Sequence, residues 1–289
     1  MLAEALLYAR ARLGGQQNRH GHLTEQVAIW ARHRRQRQAW AGHLAQARAL
    51  CLHAAQGCPA HRTALVLGAG LLLDVPLEQL SALFRRVVLA DMAFLPATVR
   101  QAKALGNVEL VVTDLTGCLD HLPNAQDLAA RLEVGPAPRP DLSLGLDALD
   151  FVYSANILSQ LPLHAVSALR AQQAHAGWPD AAAQPSAALE AFAASLVRAH
   201  LDALQALPCP ACLVADTLER GYEGQTLRYE ADLLHGVAPG LEGQHWTWPL
   251  APPGEISPHL RVERLVLGAP NVHLAAKAPA APAPGGPHA

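Results

Sequence analysis

Short apolar runs alternate with helical patterns along most of the chain. Five runs have the length and composition of buried strands, namely Ala64–Leu67, Val87–Ala90, Val108–Val112, Asp150–Tyr153 and Ala211–Ala215. Helical patterns that begin near Pro76 and Pro96 follow the first two runs, and two more, which begin near Pro162 and Ser186, follow the fourth. Strand and helix in alternation predict an α/β fold with a parallel sheet, covered by helices on both faces.

The two ends of the chain depart from this alternation. Residues 1–60 are helical in pattern and predict an N-terminal helical cap or lid over a sheet domain that covers residues 61–270. Near the other end, the strand-like runs His245–Leu250 and Leu260–Leu267 are joined by a connection too short for a crossover helix. They therefore predict an antiparallel hairpin. Residues 271–289 are rich in Ala, Pro and Gly, and we expect this tail to be disordered.

The composition and charge of the chain limit the cellular compartments and the binding partners that we expect. The 289 residues carry a formal net charge of -2, which gives no overall field toward nucleic acid or an anionic membrane. No apolar run approaches the roughly 20 residues that span a bilayer. The first 15 residues place an acid early and arginines late, the reverse of a secretory signal. Five cysteines without a regular framework fit free thiols, so we predict a cytoplasmic protein.

A glycine turn directly follows the first predicted strand, in the run Val66-Leu67-Gly68-Ala69-Gly70. Glycine adopts positive φ readily, and its missing Cβ lets the backbone approach a ligand closely. The second predicted strand ends on Asp91, near the distance at which an acid meets a ribose hydroxyl in dinucleotide-binding folds. The turn and the spaced acid together predict a cofactor site.

Further polar residues follow the third and fourth predicted strands. Asp114 lies just after the third strand, and Ser154 to Asn156 extend the fourth. Ligands of open α/β sheets bind beyond the carboxyl ends of the strands, where these residues are expected to meet Gly68, Gly70 and Asp91. Strand-end acids also initiate loops, but two of them beside a glycine turn favour ligand binding.

These motifs resemble those of the class I S-adenosylmethionine-dependent methyltransferases, over about residues 61–270. The resemblance implies a doubly wound, Rossmann-like, seven-stranded sheet, mostly parallel with the last strand antiparallel, and S-adenosyl-L-methionine as cofactor. It implies that the glycine turn faces the amino-acid part of the cofactor, Asp91 the ribose hydroxyls and Asp114 the adenine. The full set that the resemblance assigns to the cofactor is Gly68, Ala69, Gly70, Asp91, Met92, Asp114, Leu115, Ser154 and Asn156.

The chain departs from the family pattern at several positions. Val66 replaces an acid that often precedes the first glycine by two residues, and Leu72 replaces a third glycine. Ser159-Gln160 stands where many small-molecule enzymes carry a His-His pair, so no histidine base is implied there. The Asp-Pro-Pro-Tyr-like element of the amino-methylating nucleic-acid enzymes is absent, which argues against a nucleic-acid substrate.

The predicted function is methyl transfer to an N or O nucleophile of a small-molecule acceptor. Asn156, Asp216 and Tyr222 are the candidate catalytic residues, and Tyr8, His22 and Arg32 to Arg37 of the cap are candidates for acceptor specificity. A nicotinamide-dependent oxidoreductase is an alternative. Leu73 argues against it, because it occupies the position of the third glycine in Gly-x-Gly-x-x-Gly. A second alternative is a non-catalytic binding module with a vestigial pocket.

Two motifs are interpreted as structural. Asp74 directly precedes Val75-Pro76 and is expected to cap a helix. Cys209-Pro210-Ala211-Cys212 is a lone Cys-x-x-Cys that would need two further ligands, such as Cys51 with His53 or Cys58, to hold zinc. We therefore predict no metal site.

Overall fold

A computed structural model of the chain describes residues 2–15, 21–119, 122, 137, 139–175 and 187–274. All but the first four residues of the tail predicted to be disordered thus lie outside the described residues. Within the described ranges, no helix is both long enough and apolar enough to cross a membrane.

The N-terminal residues form three helices: α1 (Leu2–Leu13), α2 (His22–Arg35) and α3 (Arg37–Gln56). We call them the cap helices. Gly21, whose φ of 84° is left-handed, precedes α2 as its N-cap residue, and only Gln36 separates α2 from α3. The helical pattern predicted for this segment is therefore confirmed.

Strands and helices then alternate as the sequence predicts. They are β1 (Thr63–Leu67), α4 (Leu77–Leu83), β2 (Arg86–Asp91), α5 (Pro96–Leu105), β3 (Val108–Val112), β4 (Leu149–Ala155), α6 (Leu161–His175) and α7 (Ala187–Gln205). Proline lies at the start of α5, and Gly106, with a left-handed φ of 74°, ends it. Proline at the start and glycine just past the end are typical helix boundaries.

Four strands complete the sheet: β5 (Ala211–Glu223), β6 (Thr226–Asp232), β7 (Gln244–Ala251) and β8 (Leu260–Ala269). The strand order is β3-β2-β1-β4-β5-β8-β7, and β6 pairs with β5. The first five strands run parallel, whereas β8 is antiparallel to both β5 and β7. The mostly parallel α/β sheet and the C-terminal hairpin are thus confirmed.

Among the described residues the sheet has eight strands, whereas the sequence predicted seven. Strand β5 does not end at Asp216 but continues to Glu223, where it pairs with β6 on one side and β8 on the other. Most residues of β6 are exposed. Strands are predicted from an alternation of apolar and polar residues, and a strand that is solvated on both faces lacks it. The sequence therefore gives no clear strand signal for β6 or for the extension of β5.

The central strand β1 is buried on both faces. Ala64 and Val66 belong to the core cluster that includes cap helix α3, whereas Leu65 and Leu67 belong to the cluster that includes α7. Successive side chains of a strand point to opposite faces, so every position of β1 meets apolar neighbours. This explains the continuous apolar run in the sequence.

Candidate functional site

A cavity of about 370 Å³ lies at the carboxyl ends of the central strands. Strand β1 has β2 on one side and β4 on the other, so the chain order reverses there, as at the ligand site of other open α/β sheets. Six of the nine residues predicted for the cofactor line this cavity: Gly70, Asp91, Met92, Asp114, Leu115 and Asn156.

The glycine turn has the backbone that its sequence predicts. Gly68 and Gly70 have φ values of 78° and 32°. A Cβ on Gly68 would lie 2.8 Å from the Cβ of Ile157, and one on Gly70 would lie 3.3 Å from Oδ2 of Asp91. The first glycine is therefore required by the loop after β4, and the second leaves the cavity open beside Asp91.

Asp91 is held by both the glycine turn and the cap. Its Oδ2 accepts a hydrogen bond from the Gly70 amide at 2.8 Å, and its Oδ1 accepts one from Nε2 of Gln26 at 3.1 Å. The same Nε2 donates to the Ala93 carbonyl at 2.6 Å. Burial raises the pKa of Asp91 to about 6, although these hydrogen bonds oppose the shift.

Asp114 lines the cavity but also organises its own loop. Its carboxylate accepts hydrogen bonds from the Thr116 amide, the Thr116 hydroxyl and the Leu119 amide, at 2.7 to 2.8 Å. The loop-initiating role and the ligand-facing position predicted from the sequence thus coexist. Leu115, the next residue, lies beside it in the cavity wall.

Asn156 connects the cavity to a buried ion pair. It has a φ of 48°, a left-handed conformation that asparagine tolerates better than most residues, and its Oδ1 accepts from the Asp216 amide at 3.0 Å. The Asp216 carboxylate is fully buried, and its Oδ2 accepts from Arg264 at 2.7 Å. Burial raises the pKa of Asp216 despite the arginine. Arg264 and Asn156 line the cavity, with Asp216 behind them.

Five predicted site residues are not part of the cavity wall, namely Gly68, Ala69, Ser154, Asp216 and Tyr222. Ser154 is fully buried, and its hydroxyl is 3.0 Å from Nε2 of His200 on α7, on the opposite face of the sheet. Alternation along β4 explains this, because Ser154 and its neighbour Ala155, which lines the cavity, point to opposite faces of the sheet, whereas Asn156 lies past the end of the strand. Tyr222 lies in the β5 extension, with the Arg261 guanidinium 4.4 Å from its ring centre.

The cap and the C-terminal hairpin form the other wall, which the sequence did not predict. Trp40 and His43 of α3 line the cavity together with Trp248 of β7. The His43 and Trp248 rings stack at 4.1 Å, and Trp40 meets Trp248 edge to face. Trp40 Nε1 donates to the Leu250 carbonyl at 2.9 Å. This wall is aromatic and rigidly held.

His43 is a neutral side chain in this wall. Burial lowers its pKa to about 4, and Nδ1 accepts a hydrogen bond from Nε1 of Trp246 at 3.1 Å. An imidazole whose Nδ1 accepts carries its proton on Nε2. His43 can therefore donate a hydrogen bond to a cavity ligand but has no spare lone pair with which to remove a proton.

Asp74 has a different position from the one predicted. Helix α4 begins at Leu77 without a side-chain cap, and Asp74 lines the cavity instead. Burial raises its pKa to about 6, with Arg48 opposing the shift. The helix-cap interpretation was therefore wrong, because the chain turns toward the cavity before Pro76. The position of Asp74 just after the glycine turn is the feature of the sequence that could have indicated a place in the cavity wall.

The residues proposed for acceptor specificity separate into two groups. His22 and Arg32 line the cavity. Tyr8 instead packs with Leu23 and Leu95 beneath the cap helices, and Arg35 pairs with Glu255 at 2.6 Å. The basic cluster of α2 is thus partly a surface ion-pair network.

The five cysteines are free and buried. Burial raises the pKa of Cys209 to about 11, and that of Cys212 is raised further. They behave as small apolar residues that support the sheet.

No protein-family model matches the chain, and no curated protein matches it. Among solved structures, it is similar to Burkholderia thailandensis 1,6-didemethyltoxoflavin-N1-methyltransferase with bound 1,6-didemethyltoxoflavin and S-adenosylhomocysteine. The identity is 16% and the TM-score 0.35, over 84% of this chain and 86% of that chain. At this TM-score the similarity carries no functional weight, so function is argued from the cavity alone.

Proposed function

We propose that the protein transfers a methyl group from S-adenosyl-L-methionine to an N or O nucleophile of a small molecule. The observation that carries the proposal is the Gly70–Asp91 pair at the wall of the cavity, where the strand order reverses. A backbone without a Cβ and a carboxylate at the end of β2 suit a ligand with an adjacent ribose.

The residues present fit such a cofactor. Asp91 Oδ2 accepts a hydrogen bond from the Gly70 amide and retains one further lone pair for a ribose hydroxyl. Among the described residues, the buried Oε1 of Gln26 has no hydrogen-bond partner, although its Nε2 is bound to Asp91. A buried amide oxygen without a partner is costly, and a ligand hydroxyl would satisfy it. Asp114 and Leu115 would hold the adenine end.

The aromatic wall would hold the acceptor. Trp40, His43 and Trp248 offer flat apolar surface, and the buried Nε1 of Trp248 has no partner among the described residues. An acceptor with a ring and a hydrogen-bond-accepting atom would satisfy both features. Bound S-adenosyl-L-methionine supplies an activated methyl group, so the chain mainly needs to orient the acceptor's nucleophile.

Asp74 is our candidate for the residue that takes the acceptor's proton. A carboxyl with a pKa near 6 is ionised at neutral pH, yet basic enough for proton transfer. Asp216, the earlier candidate, is bonded to Arg264 behind the cavity wall and would act by positioning Asn156. Tyr222 lies outside the cavity wall and is no longer proposed for catalysis.

Thermal unfolding with S-adenosylhomocysteine, S-adenosyl-L-methionine or NADH tests the proposal. A ligand at about 100 times its Kd adds about 2.7 kcal/mol, which should raise Tm by roughly 5 to 10 °C. We expect a shift with both adenosyl sulfur compounds, lost in Asp91→Ala and kept in Asp147→Ala, an exposed control. A shift with NADH alone would support an oxidoreductase, and no shift with any ligand would support a binding module.

A further inference from the structure

Three metal-ligating side chains meet at the rim of the cavity. His22 and Glu25 lie three residues apart on α2, and His164 lies in the first turn of α6. One donor atom from each lies within 4.8 Å of the other two. Residues three apart share one face of a helix, so α2 presents both its donors toward α6.

We propose that His22, Glu25 and His164 bind a divalent transition metal, with Zn²⁺ as the best match. Two imidazoles and one carboxylate form a donor set of known catalytic zinc sites, in which a fourth position stays open. Imidazole donors favour zinc and its neighbours in the first row over magnesium or calcium. The proposal does not depend on methyl transfer.

The distances require only a small adjustment. Zinc bonds of about 2.0 to 2.2 Å place two ligands of a tetrahedral ion about 3.3 to 3.6 Å apart. Here Nε2 of His164 is 2.6 Å from Oε2 of Glu25, and the His22 and His164 ring centres are 3.6 Å apart. The ion would replace the hydrogen between His164 and Glu25 and move these two donor atoms apart by about 0.7 to 1 Å. It would bring the His22 donor, which lies within 4.8 Å of both, inward by up to about 1.5 Å.

The location gives the ion a role. All three side chains line the cavity, so the open coordination position would face its interior. There it could bind an oxygen or nitrogen atom of the cavity ligand. Because the ligands come from α2 and α6, the ion would also tie the cap to the sheet domain beside Gln26, which already bonds Asp91. Metal binding and closure of the cap would then be coupled.

Titration of chelator-treated protein with zinc chloride, followed by calorimetry, tests the site. We expect one tight equivalent, with affinity at least tenfold weaker in Glu25→Gln and in His164→Gln. His53→Gln is the matched control, since His53 is exposed on α3, and should bind like the parent. Glu25 is half exposed, so its variant should fold, which circular dichroism would verify.

Cobalt gives a second, direct measurement. Co²⁺ in a tetrahedral site absorbs visible light strongly, and we expect this band in the parent and its loss in both ligand variants. Zinc binding of equal affinity in all four proteins would assign the metal to other histidines of the fifteen in the chain and overturn the proposal. Lack of saturable binding would leave a simple hydrogen bond between His164 and Glu25, and would equally overturn it.

Discussion

Gln26 donates a side-chain hydrogen bond to Asp91 over 3.1 Å, although 65 residues separate the two in sequence. The bond joins cap helix α2 to the end of strand β2. It is made to a carboxylate in a largely desolvated position, where a hydrogen bond contributes more than at the surface. The cap is thus attached to the sheet at the very residue proposed to bind the ribose.

Replacement of this amide should loosen the cap. In Gln26→Ala we expect amide hydrogens of α2 to exchange about tenfold faster or more, since a hydrogen bond to a charged group contributes about 1.5 to 3 kcal/mol. Strand β1 should be unaffected. Gln46→Ala is the control, because Gln46 is exposed and bonds only within α3. Equal exchange in the two variants would show that the bond does not hold the cap.

Asp91 predicts a pH dependence of cofactor affinity. Its pKa in the folded protein is about 6, and ribose hydroxyls need the ionised carboxylate as acceptor. The affinity for S-adenosylhomocysteine should be constant above pH 7 and fall up to tenfold per unit below pH 6. Calorimetry between pH 5 and 8 measures this. Asp91→Asn should bind weakly at every pH, and a parent protein with a flat profile would contradict the assignment.

The raised pKa of Asp74 predicts that the free energy of unfolding falls as the pH rises, whereas the cofactor affinity that depends on Asp91 increases with pH. Its pKa is about 6 when folded but about 3.9 when unfolded, so between these values the folded state holds the extra proton. The free energy of unfolding therefore falls as the pH rises from about 4 to 6, and the cost is complete above 6. In Asp74→Asn this cost is removed. Urea unfolding should show a variant more stable than the parent at pH 7.5, with the difference shrinking toward pH 4.

Gly68 predicts a large effect from one added methyl group. Alanine would combine a positive φ with a 2.8 Å contact to Ile157, so Gly68→Ala should lose about 2 to 4 kcal/mol of unfolding free energy. Gly42→Ala is a matched control. Gly42 lies within α3, a Cβ there would meet nothing within 4 Å, and alanine should stabilise by up to about 1 kcal/mol. Denaturant titration of both variants separates strain from a general effect of the substitution.

Two arginine–carboxylate pairs of the sheet have similar distances but should differ in their contribution to the free energy of unfolding. Arg264→Ala leaves the fully buried Asp216 without its partner and should destabilise by about 3 to 5 kcal/mol. Arg220→Ala removes an exposed pair with Glu230, made at 2.8 Å, and should cost less than about 1 kcal/mol.

A double variant completes this test. Arg264→Met with Asp216→Leu removes both charges of the buried pair, so much of the stability should return. If it does not, the loss in Arg264→Ala reflects packing rather than the buried carboxylate.

Much of the sheet could be predicted because its strands are buried on both faces. The apolar runs at β1, β2 and β3 have nearly the predicted bounds, and the glycine turn has the positive φ that glycine favours. Leu72, just after the glycine turn, has a φ of 58°. A leucine rarely adopts this left-handed conformation, so its residue type alone could not predict the backbone there.

The rest depends on contacts between distant segments. The aromatic wall joins Trp40 and Trp248, and the donor cluster joins Glu25 and His164, pairs about 140 to 210 residues apart in sequence. No local spacing indicates such meetings. Asp74 was misjudged for a related reason, since an acid before Val75-Pro76 is a frequent helix cap and only the folded chain directs it into the cavity.

The bond from Trp40 to the carbonyl of Leu250 spans 210 residues and has a consequence for synthesis on the ribosome. Helix α3 leaves the ribosome exit tunnel long before β7 is synthesised. The apolar face that α3 buries against the hairpin therefore stays exposed to solvent until the sheet is almost complete. Such delayed pairing slows folding and exposes a nascent chain to aggregation. The cap helices are made before the sheet but are among the last parts to pack, and they are where we expect chaperones to engage the unfinished protein.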